Sequence, residues 1–467
     1  RGHRHHAQPL YLGGVAGWFR WSPRPSLDDA RTIKLSEART VSGLHAPVTG
    51  RRNEVAPTFS FRWWWTYSTS PLDTLKEQPM KAVTFHGKRD VRVDEVADPV
   101  IKEPTDAIVK LTSTAICGSD LHLYELFGAF IDEGDILGHE PMGIVEEVGG
   151  EVTGLSPGDR VVVPFNVACG SCHMCEHGLQ SQCETTQNRE HGTGGSLLGY
   201  TRLYGQVPGG QAQYLRAQYA DYGLMVVPHG PPDDRFLFAS DVVPTAWQAV
   251  EYAQIPAGGS VCVVGLGPIG QMSARIARYR GAERVFGVDM VPERLAMAAR
   301  HGIEVVDLRA ESDLAGRLRD LTDGRGPHSV IDAVGMEAHG SGVAKLTQQI
   351  VSFLPDSVAG PMMQHAGVDR LAALHTAIDI VRRGGTLSVS GVYAGAVDPL
   401  PMLQMFDKQL TVRMGQANVR RWVEQFLPLL GDESDPLGVL DLTTHRMPLS
   451  EAPAAYEMFQ KKRDGAI

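Results

Sequence analysis

The sequence predicts a two-domain α/β protein, with a β-rich first domain followed by a doubly wound parallel sheet. Three observations predict this class. The chain of 467 residues exceeds the size at which a single hydrophobic core keeps growing. Short alternating strands and turns fill residues 80 to about 240, and buried strands then alternate with helices. A glycine-rich turn joins the first of those buried strands to a helix.

The pattern of elements changes near Pro244. Before it, strands with period-two alternation are predicted at 80–88, 91–96, 107–116, 142–149 and 157–164. After it, strands are predicted at 260–264, 285–289, 329–332 and 386–390, with helices at 268–280 and 292–301. Residues 184–213 and 336–368 are longer than connectors need, and loops of that length are often functional.

Residues 1–79 stand apart from the rest of the chain. They lack sustained periodicity, contain the run Trp63-Trp64-Trp65 and begin without a methionine, whereas Met80 opens a regular pattern. The apolar run at 10–19 is too diluted with glycine for a good secretory signal, and nearby acidic residues argue against a transit peptide. We expect residues 1–79 to be a disordered or non-native N-terminal extension.

Composition excludes several classes of function. The 44 Lys and Arg against 54 Asp and Glu give a net charge of −10, which disfavours a nucleic-acid partner and gives no general basic surface for anionic membranes. No uninterrupted apolar run approaches the length needed to span a bilayer. We therefore expect no nucleic-acid or membrane partner, and a small-molecule substrate.

Four of the six cysteines crowd into a short segment. Cys169-X2-Cys172-X2-Cys175-X7-Cys183 can close a tetrahedron around zinc with no position left for water, which predicts a structural zinc lobe at 166–185. The alternatives are a coincidental cluster, two disulfides or an iron–sulfur cluster, whose usual spacings this segment does not match. Metal thiolates also favour a reducing, cytoplasmic location.

The glycine-rich turn predicts a dinucleotide site. Gly265, Gly267 and Gly270, with Pro268 and Ile269 between them, directly follow a buried strand and open a helix. In this context the glycines permit a tight turn and close approach of the backbone to a pyrophosphate at the helix N-terminus. The second half is therefore predicted to be a Rossmann domain.

An acid at the end of the next strand predicts the cofactor. Asp289 lies about twenty residues after the last glycine, where a carboxylate accepts hydrogen bonds from ribose hydroxyls and repels a 2′-phosphate. This favours NAD over NADP. Asp289 could instead be a simple strand-end cap, and Arg294 nearby could soften the preference.

A thiol and an imidazole, Cys117 and His139, lie in a stretch from Cys117 to Glu140 that has the residue types of a metal site. The two residues alone prove little, because cysteine is among the commonest buried residues and histidine is often a core residue. Their meaning depends on the rest of the chain.

Together, these segments resemble the zinc-dependent alcohol dehydrogenases of the medium-chain dehydrogenase/reductase superfamily. The resemblance covers about residues 80 to 467 and rests on the four-cysteine lobe and on four segments in the family's order, AICGSDLH at 115–122, GHEPMGIV at 138–145, GDRV at 158–161 and GLGPIG at 265–270. It implies a GroES-like catalytic domain at 80–243, a Rossmann domain at 244–395 and a return to the catalytic domain at 396–467.

The resemblance also implies a catalytic zinc on Cys117 and His139. The best-known members use a second cysteine as third ligand, but the one cysteine left here, Cys262, lies inside a predicted buried strand. Asp241, in the segment SDVVPT at 240–245, occupies the family's third-ligand position and resembles the glutathione-independent formaldehyde-dehydrogenase-like branch. The alternative is that Asp241 only caps the helix that begins near Thr245.

Further roles follow from the same resemblance. Ser119 and His122 hold the positions of the family's proton relay, and Asp120 resembles the acid that orients the ligand histidine. Glu140 is either a carboxylate behind the ligands or a transient ligand that lets substrate exchange for water. The backbone around Val392 and Tyr393 resembles the segment that holds the nicotinamide.

The predicted activity is hydride transfer between an alcohol or aldehyde hydrate and NAD, with two zinc ions per chain. If the insertion 336–368 covers bound NAD, as in glutathione-independent formaldehyde dehydrogenases, the enzyme could act as a dismutase. The alternatives are a polyol or threonine-type zinc dehydrogenase and a non-catalytic nucleotide-binding redox sensor. The family implies a homo-oligomer, a dimer or tetramer. Candidate pocket walls are Phe127, Phe130, Phe165 and Trp247.

Overall fold

A computed structural model describes residues 79–125, 128–335, 371–393 and 400–466. Apart from Pro79, the extension predicted at 1–79 lies outside the described residues, as do the insertion 336–368 and Phe127. Within the described ranges, no helix is both long enough and apolar enough to cross a bilayer.

The first part of the described chain is a GroES-like β-rich domain. An antiparallel hairpin is followed by a five-stranded antiparallel sheet of order β6-β3-β4-β5-β7. The strands are β1 (Met80–Gly87), β2 (Asp90–Val96), β3 (Ala107–Thr114), β4 (Pro141–Val148), β5 (Arg160–Val162), β6 (Tyr214–Ala217) and β7 (Met225–Val226). The helices of this part are α1 (Gly118–Glu125), α2 (His173–Glu176) and α3 (Ala220–Gly223).

The second part is a Rossmann sheet of six parallel strands. Its strands are β8 (Ser260–Val264), β9 (Arg284–Asp289), β10 (Glu304–Asp307), β11 (Ser329–Asp332), β12 (Thr386–Val389) and β13 (Thr411–Met414). The accompanying helices in the described ranges are α4 (Val242–Ala253), α5 (Pro268–Tyr279), α6 (Pro292–Arg300), α7 (Leu314–Asp320), α8 (Ala372–Ile380) and α9 (Met402–Asp407). The order β10-β9-β8-β11-β12-β13 reverses between β8 and β11, so the turn after β8 lies where such sheets bind nucleotides.

The last two helices are α10 (Val419–Gly431) and α11 (Ala452–Gln460). Helix α11 returns to the first part, where Tyr456 and Phe459 pack in one core cluster with Val83, Val91 and Leu123. The Tyr456 hydroxyl also donates a hydrogen bond of 2.9 Å to Gln211 Oε1. Helix α11 therefore packs against the β1–β2 hairpin at the beginning of the described chain.

The elements lie close to their predicted bounds. Strands β8 and β11 match the predicted residues, and α5 and α6 each end one residue before the predicted end. β5 is shorter than the predicted strand 157–164 because Gly158, at φ 98°, turns the chain before Arg160.

Candidate active site

Four buried side chains offer ligand atoms that all lie within 4.8 Å of one another: Cys117, His139, Glu140 and Asp241. Cys117 directly precedes α1, and Asp241 directly precedes α4. His139 and Glu140 lead into β4. Three separate segments thus converge on one point, although Asp241 is 124 residues from Cys117.

The geometry within this group is close. Asp241 Oδ2 lies 3.5 Å from Cys117 Sγ and 3.4 Å from His139 Nε2. Ser119 Oγ lies 3.2 Å from the same imidazole nitrogen. The other nitrogen of His139, Nδ1, lies 2.9 Å from Asp120 Oδ1. Because a carboxylate only accepts, Nδ1 carries the proton that faces Asp120, which leaves Nε2 as the nitrogen that can bind a metal.

A cation would stabilise the charged forms of these buried acidic side chains. Burial, reinforced by the carboxylates of Glu140 and Asp241, raises the pKa of the Cys117 thiol to about 12. Burial, together with Asp241, raises the pKa of Glu140 to about 8, and its Oε1 has no hydrogen-bond partner among the described residues. Burial opposes a charge on His139, yet Asp120 raises its pKa well above the usual value. Zn²⁺ fits this set, since it prefers thiolate, imidazole and carboxylate ligands.

The second metal group is the four-cysteine segment, whose sulfur atoms also lie within 4.8 Å of one another. The Sγ atoms of Cys169 and Cys183 are 3.6 Å apart, and those of Cys172 and Cys183 are 3.9 Å apart. Tetrahedral zinc with Zn–S bonds of about 2.3 Å places its sulfur atoms about 3.8 Å apart. The fourth sulfur belongs to Cys175, and none of the six cysteines is in a disulfide.

The glycine turn has the backbone geometry that a nucleotide requires. Gly265 adopts φ 85°, and a Cβ on Gly270 would lie 1.8 Å from the carbonyl oxygen of Gly265. Asp289 Oδ2 accepts a hydrogen bond from the backbone of Leu266, which fixes the carboxylate beside the turn. Arg294 Nη1 lies 3.9 Å from the same oxygen.

One cavity of about 420 Å³ extends from the candidate zinc ligands Cys117, His139 and Asp241 to the glycine turn at 265–270. Predicted site residues in its lining are Cys117, Ser119, His122, His139, Asp241, Gly265, Gly267, Pro268, Ile269, Asp289, Arg294 and Val392. Glu140, Gly270 and Tyr393 do not line it. Tyr393 instead donates its hydroxyl to the buried Asp332 Oδ2 at 2.5 Å.

Of the predicted pocket walls, Phe165 lines the cavity. Trp247 is wrong as a wall, because it is buried in the core and its indole N–H donates to Gln425 Oε1. Phe130 also lies outside the lining. The wall residues that the sequence did not reveal include Leu197, Leu198, Tyr200, Tyr204, Thr245, Gln416 and Lys462. Several come from the irregular loop 184–213, which has no periodicity to mark them.

The fold and the site together define a zinc-binding oxidoreductase, with a GroES-like domain, a Rossmann domain and a shared cavity. Family comparison agrees. The family described as "Alcohol dehydrogenase GroES-like domain" matches residues 103–229, and "Zinc-binding dehydrogenase" matches residues 268–349. The chain belongs to the zinc-dependent alcohol dehydrogenases of the medium-chain dehydrogenase/reductase superfamily.

The similarity to known proteins covers most of the chain. The zinc-type alcohol dehydrogenase-like protein AdhB of Bacillus subtilis is 38% identical over 391 residues, which is 83% of this chain and 98% of that protein. The formaldehyde dismutase of Pseudomonas putida is 31% identical over 410 residues, covering 82% and 95% respectively. The structure of alcohol dehydrogenase TADH from Thermus sp. ATN1 superposes with a TM-score of 0.68 at 35% identity, covering 82% and 97%.

Proposed function

We propose that this protein transfers a hydride between a short-chain alcohol, or an aldehyde hydrate, and NAD, and that each chain holds two zinc ions. The supporting observation is that one cavity is lined both by Cys117, His139 and Asp241 and by the glycine turn. A substrate held by Cys117, His139 and Asp241 would share this cavity with a dinucleotide whose pyrophosphate lies on the glycine turn. The negative charge of Asp289 supports NAD over NADP.

Different residues would carry out proton transfer and orient the zinc ligands. When bound, zinc would lower the pKa of an alcohol hydroxyl, and the nicotinamide would accept the hydride. Ser119, whose hydroxyl lies 3.2 Å from His139 Nε2, would receive the alcohol proton, and His122 in the same lining would pass it toward water. Asp120 holds the His139 ring in place from behind.

The cavity walls support a small, weakly polar substrate. Phe165, Leu197, Leu198, Tyr200 and Tyr204 contribute mostly apolar surface to the lining. A polyol would bury hydroxyl groups there at a cost unless each found a partner. These walls therefore favour short alcohols and aldehydes over a polyol or threonine-type substrate.

Dismutation is the more specific form of this proposal. Two aldehydes and one water would give one acid and one alcohol without release of NADH. Its support is the likeness to the formaldehyde dismutase.

The absence of disulfides at all six cysteines supports a reducing, cytoplasmic setting.

The purified protein tests the proposal directly. We expect two zinc ions per chain and turnover of short aldehydes, and dismutation further predicts nucleotide that copurifies with the protein. Asp241→Ala should lower the zinc content to one and reduce kcat/KM at least about a hundredfold, because a ligand is lost. Elemental analysis, absorbance and kinetics give the readouts, with Asp313→Asn as the control at an exposed carboxylate. One zinc per wild-type chain would refute the catalytic site.

A further inference from the structure

The two carboxylate oxygens of Asp241 have different partners. Oδ2 faces Cys117 Sγ and His139 Nε2 at 3.5 and 3.4 Å. Oδ1 accepts a hydrogen bond of 2.5 Å from the hydroxyl of Thr245, one helical turn further along the chain. Thr245 therefore holds the oxygen that takes no part in the contacts with Cys117 and His139.

The start of α4 explains why the carboxylate is available at all. An aspartate just before a helix ordinarily accepts a hydrogen bond from the backbone N–H of the second or third helical residue. The third residue of α4 is Pro244, which has no N–H, and Asp241 makes no such capping bond. The sequence removes a competing donor at one position and supplies the Thr245 hydroxyl at the next.

We propose that Pro244 and Thr245 are positioning residues that present a single oxygen of Asp241 to the metal site. The inference rests on the proposed function, because it takes Asp241 as a zinc ligand. A carboxylate can bind a metal through one oxygen or two. With Oδ1 held by the hydroxyl, Asp241 would hold a bound zinc through one oxygen, as a thiolate holds it through one sulfur, and the position open to substrate would remain.

The two residues also set the direction of the carboxylate. The backbone N–H of Thr245 also donates a hydrogen bond of 2.9 Å to the carbonyl oxygen of Asp241. The same pair of residues is thus joined once through the backbone and once through the side chains. Loss of the hydroxyl frees Oδ1 to rotate toward the metal, while an added N–H at position 244 offers the carboxylate a different partner.

Substitutions at these two positions test the proposal. Thr245→Val removes the hydroxyl at nearly constant volume, Thr245→Ser keeps it, and Pro244→Ala restores the missing N–H. Thr376→Val is the matched control, because Thr376 also lines the cavity but donates its hydroxyl to the carbonyl of Ala372. The readouts are the rate at which a chelator removes zinc and the visible spectrum of the Co²⁺-substituted protein, which weakens as coordination number rises.

We expect Thr245→Val and Pro244→Ala to lose one zinc about ten- to a hundredfold faster than the wild type. The cobalt band of Thr245→Val should weaken, whereas Thr245→Ser and Thr376→Val should keep the wild-type spectrum. Wild-type behaviour of both Thr245→Val and Pro244→Ala, in a protein that holds two zinc ions, would overturn this inference alone. A wild-type chain with one zinc would overturn the proposed function and this inference with it.

Discussion

At the scale of single residues, Asp120 controls more of the site than its place outside the metal group suggests. Its side chain is fully buried. Oδ1 lies 2.9 Å from His139 Nδ1, and Oδ2 accepts a hydrogen bond of 2.9 Å from the backbone N–H of Cys117. One carboxylate thus fixes the direction of two proposed ligands and stabilises the proton on His139 Nδ1.

Asp120→Asn should therefore weaken zinc binding while the fold is retained. The variant replaces one acceptor oxygen by an NH2 group, which cannot accept a hydrogen bond, so the affinity for the proposed catalytic zinc should fall about ten- to a hundredfold. Competition with a chelator measures the affinity. Asp313→Asn is the control, because its exposed side chain accepts from Gly316 N at the start of α7 and asparagine caps helices equally well. Equal affinity in Asp120→Asn and the wild type would contradict the role given to Asp120.

At the scale of elements, α4 connects the active site to the four-cysteine lobe. Gln248 on α4 accepts hydrogen bonds at Oε1 from Asn418 N, from Asn418 Nδ2 and from Trp422 Nε1. Asn418 Oδ1 in turn accepts from the backbone N–H and the hydroxyl of Ser181, which lies within the lobe. Gln248 Nε2 also donates to the carbonyl of Gln416 in the cavity wall. The lobe, the wall and α4 therefore share one buried polar network.

Gln248→Leu should destabilise the protein through this network. The change keeps the side-chain volume but leaves three buried donors without their acceptor, and each such group costs about 1–3 kcal/mol. Since some donors will find water, we expect the free energy of unfolding to fall by about 2–4 kcal/mol. Urea titration measures it, with Gln187→Leu as the control at an exposed glutamine. An unchanged midpoint would show that the network does not stabilise the fold.

The elements also show where sequence reasoning succeeds and stops. Period-two and strand–helix alternation depend on near neighbours, so the strand at 329–332 could be predicted to the residue. Asn418 and Gln248 are 170 residues apart, and no local pattern marks their contact. Tyr200 and Tyr204 line the cavity from an irregular loop. The prediction of Trp247 as a pocket wall was wrong, because an aromatic residue in a helix suits a core and a pocket equally.

At the scale of the whole molecule, the Rossmann sheet presents an apolar edge. β13 is the last strand in the sheet order, and β12 is its one partner among the described strands. On α9, the helix that precedes β13 in the chain, Leu403 and Phe406 are each 81% exposed, and Met414 on β13 is 62% exposed. An exposed edge strand with apolar neighbours is a template for pairing with another chain. Two copies related by a two-fold axis can pair the same strand antiparallel and cover these side chains.

The dimer or tetramer implied by the family should therefore depend on this face. The double substitution Leu403→Glu and Phe406→Glu places four like charges in a two-fold interface, so the protein should sediment with the mass of one chain, or of half the wild-type assembly. Met447→Glu is the control, because Met447 is an exposed apolar residue in a different segment, at 38% exposure. Analytical ultracentrifugation at several concentrations gives the mass. If the double variant keeps the wild-type mass, the interface lies elsewhere. If the wild type has the mass of one chain, the prediction of an oligomer is wrong.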